Sequence, residues 1–420
     1  MPHQTHTHTH TIALALTLGL APALQAAENW PQFRGPAATG VSATPAPTVL
    51  GADSLAWRAE PPGTGHSSPI VWDGQVIITT TLPDGDARAI IAYDLASGEQ
   101  RWQVTYPFST FHIHAAFNSY SSTTPVADAD GIYCQWPDGN SVISLSLDHQ
   151  GEERWLRKDE GFDHTDHGMV ASPVLADGTL VLSQDHIGAG AALLGLDPAT
   201  GAERWRIPRK NTKDAYSTPV VIPTSDTSSQ VVFSSMDHGF LSLDPATGDA
   251  LWTFNPGYKM RAVGSPTFAQ GLLVATFGQG ASGQESAVLR PGDASRPPQL
   301  AFELDKGMPY VPTPLILDAR IYLLQDSGML TCVNLEDGET LFDRERIGEA
   351  GAAKWFASPV AAGDVIYCAS QRGEVVAIRA GDQLEVIATS LLGTAINATP
   401  ALVDGTILIR TEDALIAFRR

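Results

Sequence analysis

From about residue 55 to the C-terminus, short apolar runs alternate with Gly, Pro, Asp and Asn. This punctuation predicts short β-strands joined by tight turns. The runs come in copies. Leu196-Asp197-Pro198-Ala199-Thr200-Gly201-Ala202-Glu203-Arg204-Trp205 returns as Leu243-Asp244-Pro245-Ala246-Thr247-Gly248-Asp249-Ala250-Leu251-Trp252, and an earlier version runs from Tyr93 to Trp102. Each copy reads as strand, turn, strand, because Asp can hydrogen-bond the backbone of its own turn and Gly supplies positive φ. The Trp sits at the same offset in all three, so one packing role is repeated. Repetition at this period indicates an array or a propeller.

A second marker counts the units. Ser/Thr-Pro opens a β-rich run eight times, at Pro69, Pro125, Pro173, Pro219, Pro266, Pro314, Pro359 and Pro400, spaced 41 to 56 residues apart. Proline suits the first residue of an edge strand, where no ladder donor is lost. The expected fold is therefore all-β, an eight-bladed β-propeller of four-stranded blades. Leu55-Ala56-Trp57-Arg58-Ala59 reads as the last strand of a unit whose first three strands lie at 399–418. Pairing the two would close the ring and remove an exposed sheet edge. Residues 55–420 form the propeller in this reading. Residues 27–54 form a Pro/Ala/Thr-rich arm without period, expected to pack along the outside of the ring. The rings expected to lock neighbouring blades are Trp57, Trp102, Trp155, Trp205, Trp252 and Phe342. Blades five and seven show no such aromatic after their turns.

Composition adds a compartment and removes some partners. The formal net charge is −20, which argues against nucleic acid or an anionic membrane as partner. An apolar run over residues 12–24, followed by Ala26 and Ala27, reads as a signal peptide covering 1–26, although its n-region carries His3, His6, His8 and His10 instead of Lys or Arg. The run is too short for a membrane span. A periplasmic or extracellular monomer is expected. Cys134, Cys332 and Cys368 fall in different repeats and read as buried thiols.

The tryptophan-docking pattern at 92–102, 195–205 and 242–252 resembles that of the pyrroloquinoline-quinone-type β-propeller repeat family. The resemblance covers about residues 55–420 and implies the fold. Similar propellers occur in quinoprotein alcohol dehydrogenases and in an outer-membrane assembly factor that scaffolds a β-barrel insertase. The enzymes hold their quinone between a Trp and a disulfide of adjacent cysteines, beside calcium. No adjacent cysteines occur here and no calcium set can be matched residue by residue, so the quinone is not expected. The assembly factor is usually a lipoprotein, and no Cys follows the apolar run. The opening Trp30-Pro31-Gln32-Phe33-Arg34-Gly35-Pro36 resembles secreted members of the repeat family.

Chemistry is expected on the loop-rich top face, where inter-blade connections meet the loops between second and third strands. His66, His112, His114, His164, His167, His186 and His238 are assigned there, with His149 on the opposite face. Such imidazoles suit zinc, copper or iron. Tyr216, Lys259, Arg261, Tyr310, Lys354 and Trp355 are assigned to the same face, where cations beside aromatics suit a carboxylate or a sugar. Gly278-Gln279-Gly280-Ala281-Ser282-Gly283 matches a dinucleotide fingerprint, but a strand rather than a helix follows it, so it reads as a loop. Two functions stay open. One is a secreted binding or scaffold protein for a protein or saccharide ligand. The other is a metal-dependent hydrolase, lyase or oxidoreductase built on the His cluster.

Overall fold

The structure, a computed structural model, describes Met1 and residues 28–420 other than 115, 116, 164–166, 226, 350 and 352. The proposed signal segment and His164 lie outside the described residues. Eight four-stranded antiparallel sheets follow one another around an axis, each beginning at a Ser/Thr-Pro marker. Blade one is built from Ile70–Trp72, Gln75–Thr81, Ala87–Asp94 and Gln100–Pro107. The last blade is composite: Leu55–Ala59 pairs antiparallel with Leu415–Arg419, setting Trp57 opposite Ala417.

The two middle strands of a blade are sandwiched between neighbouring blades, which explains their composition. Gln75–Thr81 and Ser141–Leu147 are buried at every position, like strands covered on both faces. The outermost strand has one covered face and alternates, as Glu153–Glu160 does. Buried apolar clusters fill the seams; Ile77 and Ile90 of blade one, for instance, meet Leu145 and Leu147 of blade two.

The docking rings span these seams. The Trp155 indole Nε1 donates to Pro198 O and that of Trp205 to Pro245 O, each at 2.9 Å, in the turn of the next blade. Trp57 reaches Leu95 O in blade one in the same way, across the junction of the chain ends. Each ring lies flat on the turn glycine: a Cβ on Gly201 would stand 2.6 Å from Trp155, and one on Gly248 2.7 Å from Trp205, both at positive φ. Trp252 differs. Its Nε1 donates to Gln230 Oε1, while Gln230 Nε2 donates to Gly292 O in the irregular turn of blade five. Blade five does carry a docking aromatic, Phe302, seated against Gly338 of blade six. Phe342 is buried at the seam between blades six and seven.

Blade seven has no ring, and the arm covers its junction with the composite blade: Leu50 N donates to Ser390 Oγ and Tyr367 Oη to Ala46 O. The rest of the arm departs from expectation. It crosses the axial channel instead of lying outside. Trp30 exchanges two backbone hydrogen bonds with Val71 of blade one. Ala127 N of blade two donates to Pro31 O, Ala38 packs on Val220 and Ile222 of blade four, and Val41–Ser42 adds a parallel strand to blade seven. These partners lie on different blades, so the segment has no strand or helix period to read in the sequence. Arg34 is 1% exposed and donates to the carbonyls of Ala38, Thr39, Thr313, Pro314 and Pro359. Burial lowers its pKa to about 9, so it remains a cation at neutral pH.

The Gly-x-Gly-x-x-Gly stretch is the tip of a hairpin joining Leu272–Gln279 to Ser282–Arg290, with Gly280 and Ala281 both at positive φ.

Candidate functional site

The eight Ser/Thr residues that precede the marker prolines form a closed belt around the axis. The amide of each donates to the side-chain hydroxyl of the next: Ser68 to Thr124, Thr124 to Ser172, Ser172 to Thr218 and Thr218 to Ser265. The series continues from Ser265 to Thr313, to Ser358 and to Thr399, and Thr399 N returns to Ser68 Oγ at 3.1 Å. Proline holds the preceding residue in extended backbone, which fixes the hydroxyl towards its neighbour.

A cavity of about 630 Å³ stands on this belt, open on the face of the inter-blade connections. All eight belt residues line it, Phe33 of the arm contributes, and every inter-blade connection supplies at least one side chain. Lys213, Lys259, Arg261 and Lys354 come from three of the four connections between blades three and seven. Asp326 is their only carboxylate counterpart among the described lining residues. It is 1% exposed, and its Oδ1 accepts the amides of Tyr310 and Val311, both at 3.1 Å. Burial raises its pKa. Tyr216, Tyr310 and Phe356 supply aromatic wall, and burial raises the pKa of the Tyr310 phenol against the opposing effect of the Arg261 cation.

The other half of the wall carries no Lys, Arg, Asp or Glu among the described lining residues. His66 bonds Asn397 through Nε2 at 3.2 Å. Burial first, and the nearby Arg410 cation second, lower its pKa to about 4. Arg410 is itself buried, donating to Ser67 O and Thr79 O. Asn118 and His167 complete this side.

The structure separates most of the expected imidazoles. His112, His114 and His167 form a row of ring contacts, with centroids 6.2 and 5.9 Å apart. His186 is buried, accepts the Gly188 amide on Nδ1 and meets Phe162 edge-on. His238 bonds Asn211, which also donates to Asp185, the partner of Arg209 in a buried ion pair at 2.9 Å. Burial lowers the His238 pKa, helped by Arg209. Among the described residues no three His, Cys, Asp or Glu side chains converge in a way that could hold a metal ion. His149 lies in the docking turn of blade two, where its backbone carbonyl accepts the Trp102 indole. Trp355, assigned to the ligand face, is 2% exposed and belongs to the core between blades six and seven. Of the other five residues in that assignment, Tyr216, Lys259, Arg261, Tyr310 and Lys354 all line the cavity. Lys213, Phe33, Phe356 and Asp326 were not singled out from the sequence. A Lys three residues before a loop Tyr carries no motif, and Phe33 reaches the cavity only because the arm turns inward.

A family model described as outer membrane protein assembly factor BamB matches residues 50–277 and 298–420, most of the chain. The chain belongs to the BamB-type propeller family. Within that family it is 24% identical over 281 residues to the outer membrane protein assembly factor BamB of Yersinia pestis, covering 63% of this chain and 67% of the relative. Solved structures share the fold. BamB from Moraxella catarrhalis superposes with a TM-score of 0.62 at 15% identity, over 87% of this chain and 97% of its own. A europium-containing methanol dehydrogenase gives 0.66 at 13% identity, over 91% and 89%. Quinohemoprotein alcohol dehydrogenase from Comamonas testosteroni gives 0.64 at 13%, over 93% and 80%.

The quinone-and-metal chemistry implied by the dehydrogenase likeness does not fit the residues present in this BamB-type chain. Cys134, Cys332 and Cys368 are free thiols buried in blades two, six and seven. Burial pushes all three up, Cys332 and Cys368 to about 12. None lines the cavity, and Asp326 alone cannot supply a carboxylate set for a hard cation. Among the described residues no helix is long and apolar enough to cross a membrane.

Proposed function

We propose that the protein is a periplasmic or secreted scaffold that binds a protein partner through the connection-rich face of the propeller. The observation that carries this reading is the cavity itself: it draws on all eight connections and presents cations and aromatics on an otherwise acidic molecule. The BamB-type family membership supports it. Phe117, 47% exposed at the rim beside Phe356, gives an apolar contact of the kind that anchors protein interfaces.

A photo-crosslinking amino acid placed at Phe117 tests this in the cells that make the protein. A discrete adduct to another polypeptide is expected there. The same probe at Leu156, equally exposed on the outer strand of blade two, should give none. Adducts at Leu156 alone, or none at Phe117, would contradict the reading.

A further inference from the structure

The eight belt hydroxyls are spent only as acceptors. Each takes an amide proton from the preceding blade, and among the described residues none of the eight hydroxyls donates to a protein acceptor. A hydroxyl can accept and donate at once, so each keeps a donor. The belt residues are all at least nine-tenths buried, and all line the cavity. The cavity base is thus a ring of O–H donors.

The charges around this ring are mostly positive: four cations face Asp326, the one carboxylate among the described lining residues. Lys213, Lys259, Arg261 and Lys354 take part in no salt bridge among the described residues. Several arginines of the outer wall are paired, as in Arg101–Asp94, Arg204–Asp197 and Arg379–Asp364. Beneath the belt, Arg34 is a buried cation whose hydrogen bonds among the described residues all go to carbonyls, among them those of belt residue Thr313 and marker prolines Pro314 and Pro359. Donors with unspent protons, four cations to one buried carboxylate and a low-dielectric wall define an anion site.

Resting on the scaffold reading above, we infer that the cavity receives a short acidic segment of the partner polypeptide. Its carboxylates meet the lysine and arginine side chains and the belt hydroxyls, and its apolar side chains lie against Tyr216, Tyr310 and Phe356. A volume of about 630 Å³ holds a few residues rather than a domain. The net charge of −20 repels an extended acidic surface, so the anionic part of the partner must be short and must enter the cavity. Asp326 acts as a positioning residue, fixing the Tyr310–Val311 backbone that carries one aromatic wall.

The test uses the full mature chain and three probes: a fluorescein-labelled hexapeptide alternating Glu and Phe, the same peptide with Lys for Glu, and citrate as a free carboxylate. Fluorescence anisotropy should show the Glu peptide binding, weakening as salt rises, and no binding of the Lys peptide. The double variant Lys259→Gln/Arg261→Gln should reduce affinity about tenfold or more, with an unchanged melting temperature. Lys158→Gln on the outer wall should have no effect. If the double variant fails to fold, Lys354→Gln at the other side of the cavity supplies the same comparison. Failure of the Glu peptide to bind, binding unmoved by these variants, or citrate binding without peptide binding would each overturn the inference. The Phe117 crosslink is independent of all three, so its persistence would leave the scaffold reading standing.

Discussion

His66 and Arg34 show how single residues set the conditions under which the cavity exists. The His66 pKa is lowered from 6.5 to about 4, by burial and then by Arg410. The folded state therefore resists protonation that the unfolded chain accepts. The stability His66 confers is fully present above pH 6.5 and is lost as pH falls towards 4. Urea titrations at pH 7 and pH 4.5 should show a loss on the order of 2 kcal/mol attributable to this residue, and His66→Asn should flatten that part of the pH profile. Arg34 donates to the buried carbonyls of Thr313, Pro314 and Pro359. Arg34→Gln should cost about 3 kcal/mol, read as a lower urea midpoint, with part of the loss expressed as increased exchange of the Trp30 amide. Neither role was legible in the sequence. A histidine beside Ser-Ser-Pro and an arginine beside Gly-Pro carry no local pattern, because their partners are far along the chain.

Docking turns lie at the other extreme. Asp, Gly and Trp recur at fixed offsets because the geometry permits few substitutes. Asp197 Oδ1 caps the turn amides of Ala199 and Thr200, and Gly201 alone leaves room for the Trp155 ring. Gly201→Ala combines a positive φ with a ring clash and should destabilise by about 2–4 kcal/mol. Trp205→Ala should cost about 3–5 kcal/mol, measured by equilibrium unfolding. Phe342 stands in for the indole at the same offset and was readable for that reason, whereas the less regular substitutes were not. Phe302 replaces the indole in blade five, Gln230 relays Trp252 to the next turn, and the arm covers the seam after blade seven. The Ser/Thr-Pro marker was readable as punctuation, whereas its hydroxyl belt was not. Each belt bond joins residues that only the curvature of the ring brings together. Trp355 shows the converse error: an aromatic in a connection looks like a ligand contact until packing places it in the core.

For the molecule as a whole, closure depends on the two chain ends. Trp57 docks on blade one, Leu55–Ala59 completes the final sheet, and Thr399 N closes the belt on Ser68. The arm crosses the channel on the side away from the connections and lends Phe33 to the cavity. An acidic surface surrounding a cationic pocket is the asymmetry on which the functional reading rests. Hydrogen–deuterium exchange with and without the Glu/Phe peptide tests that reading most directly. Binding should slow exchange in the connections 210–218, 257–263, 308–313 and 353–358, and leave the docking turns 94–100 and 197–203 unchanged. Protection of the docking turns instead, or no protection in the four connections, would contradict it.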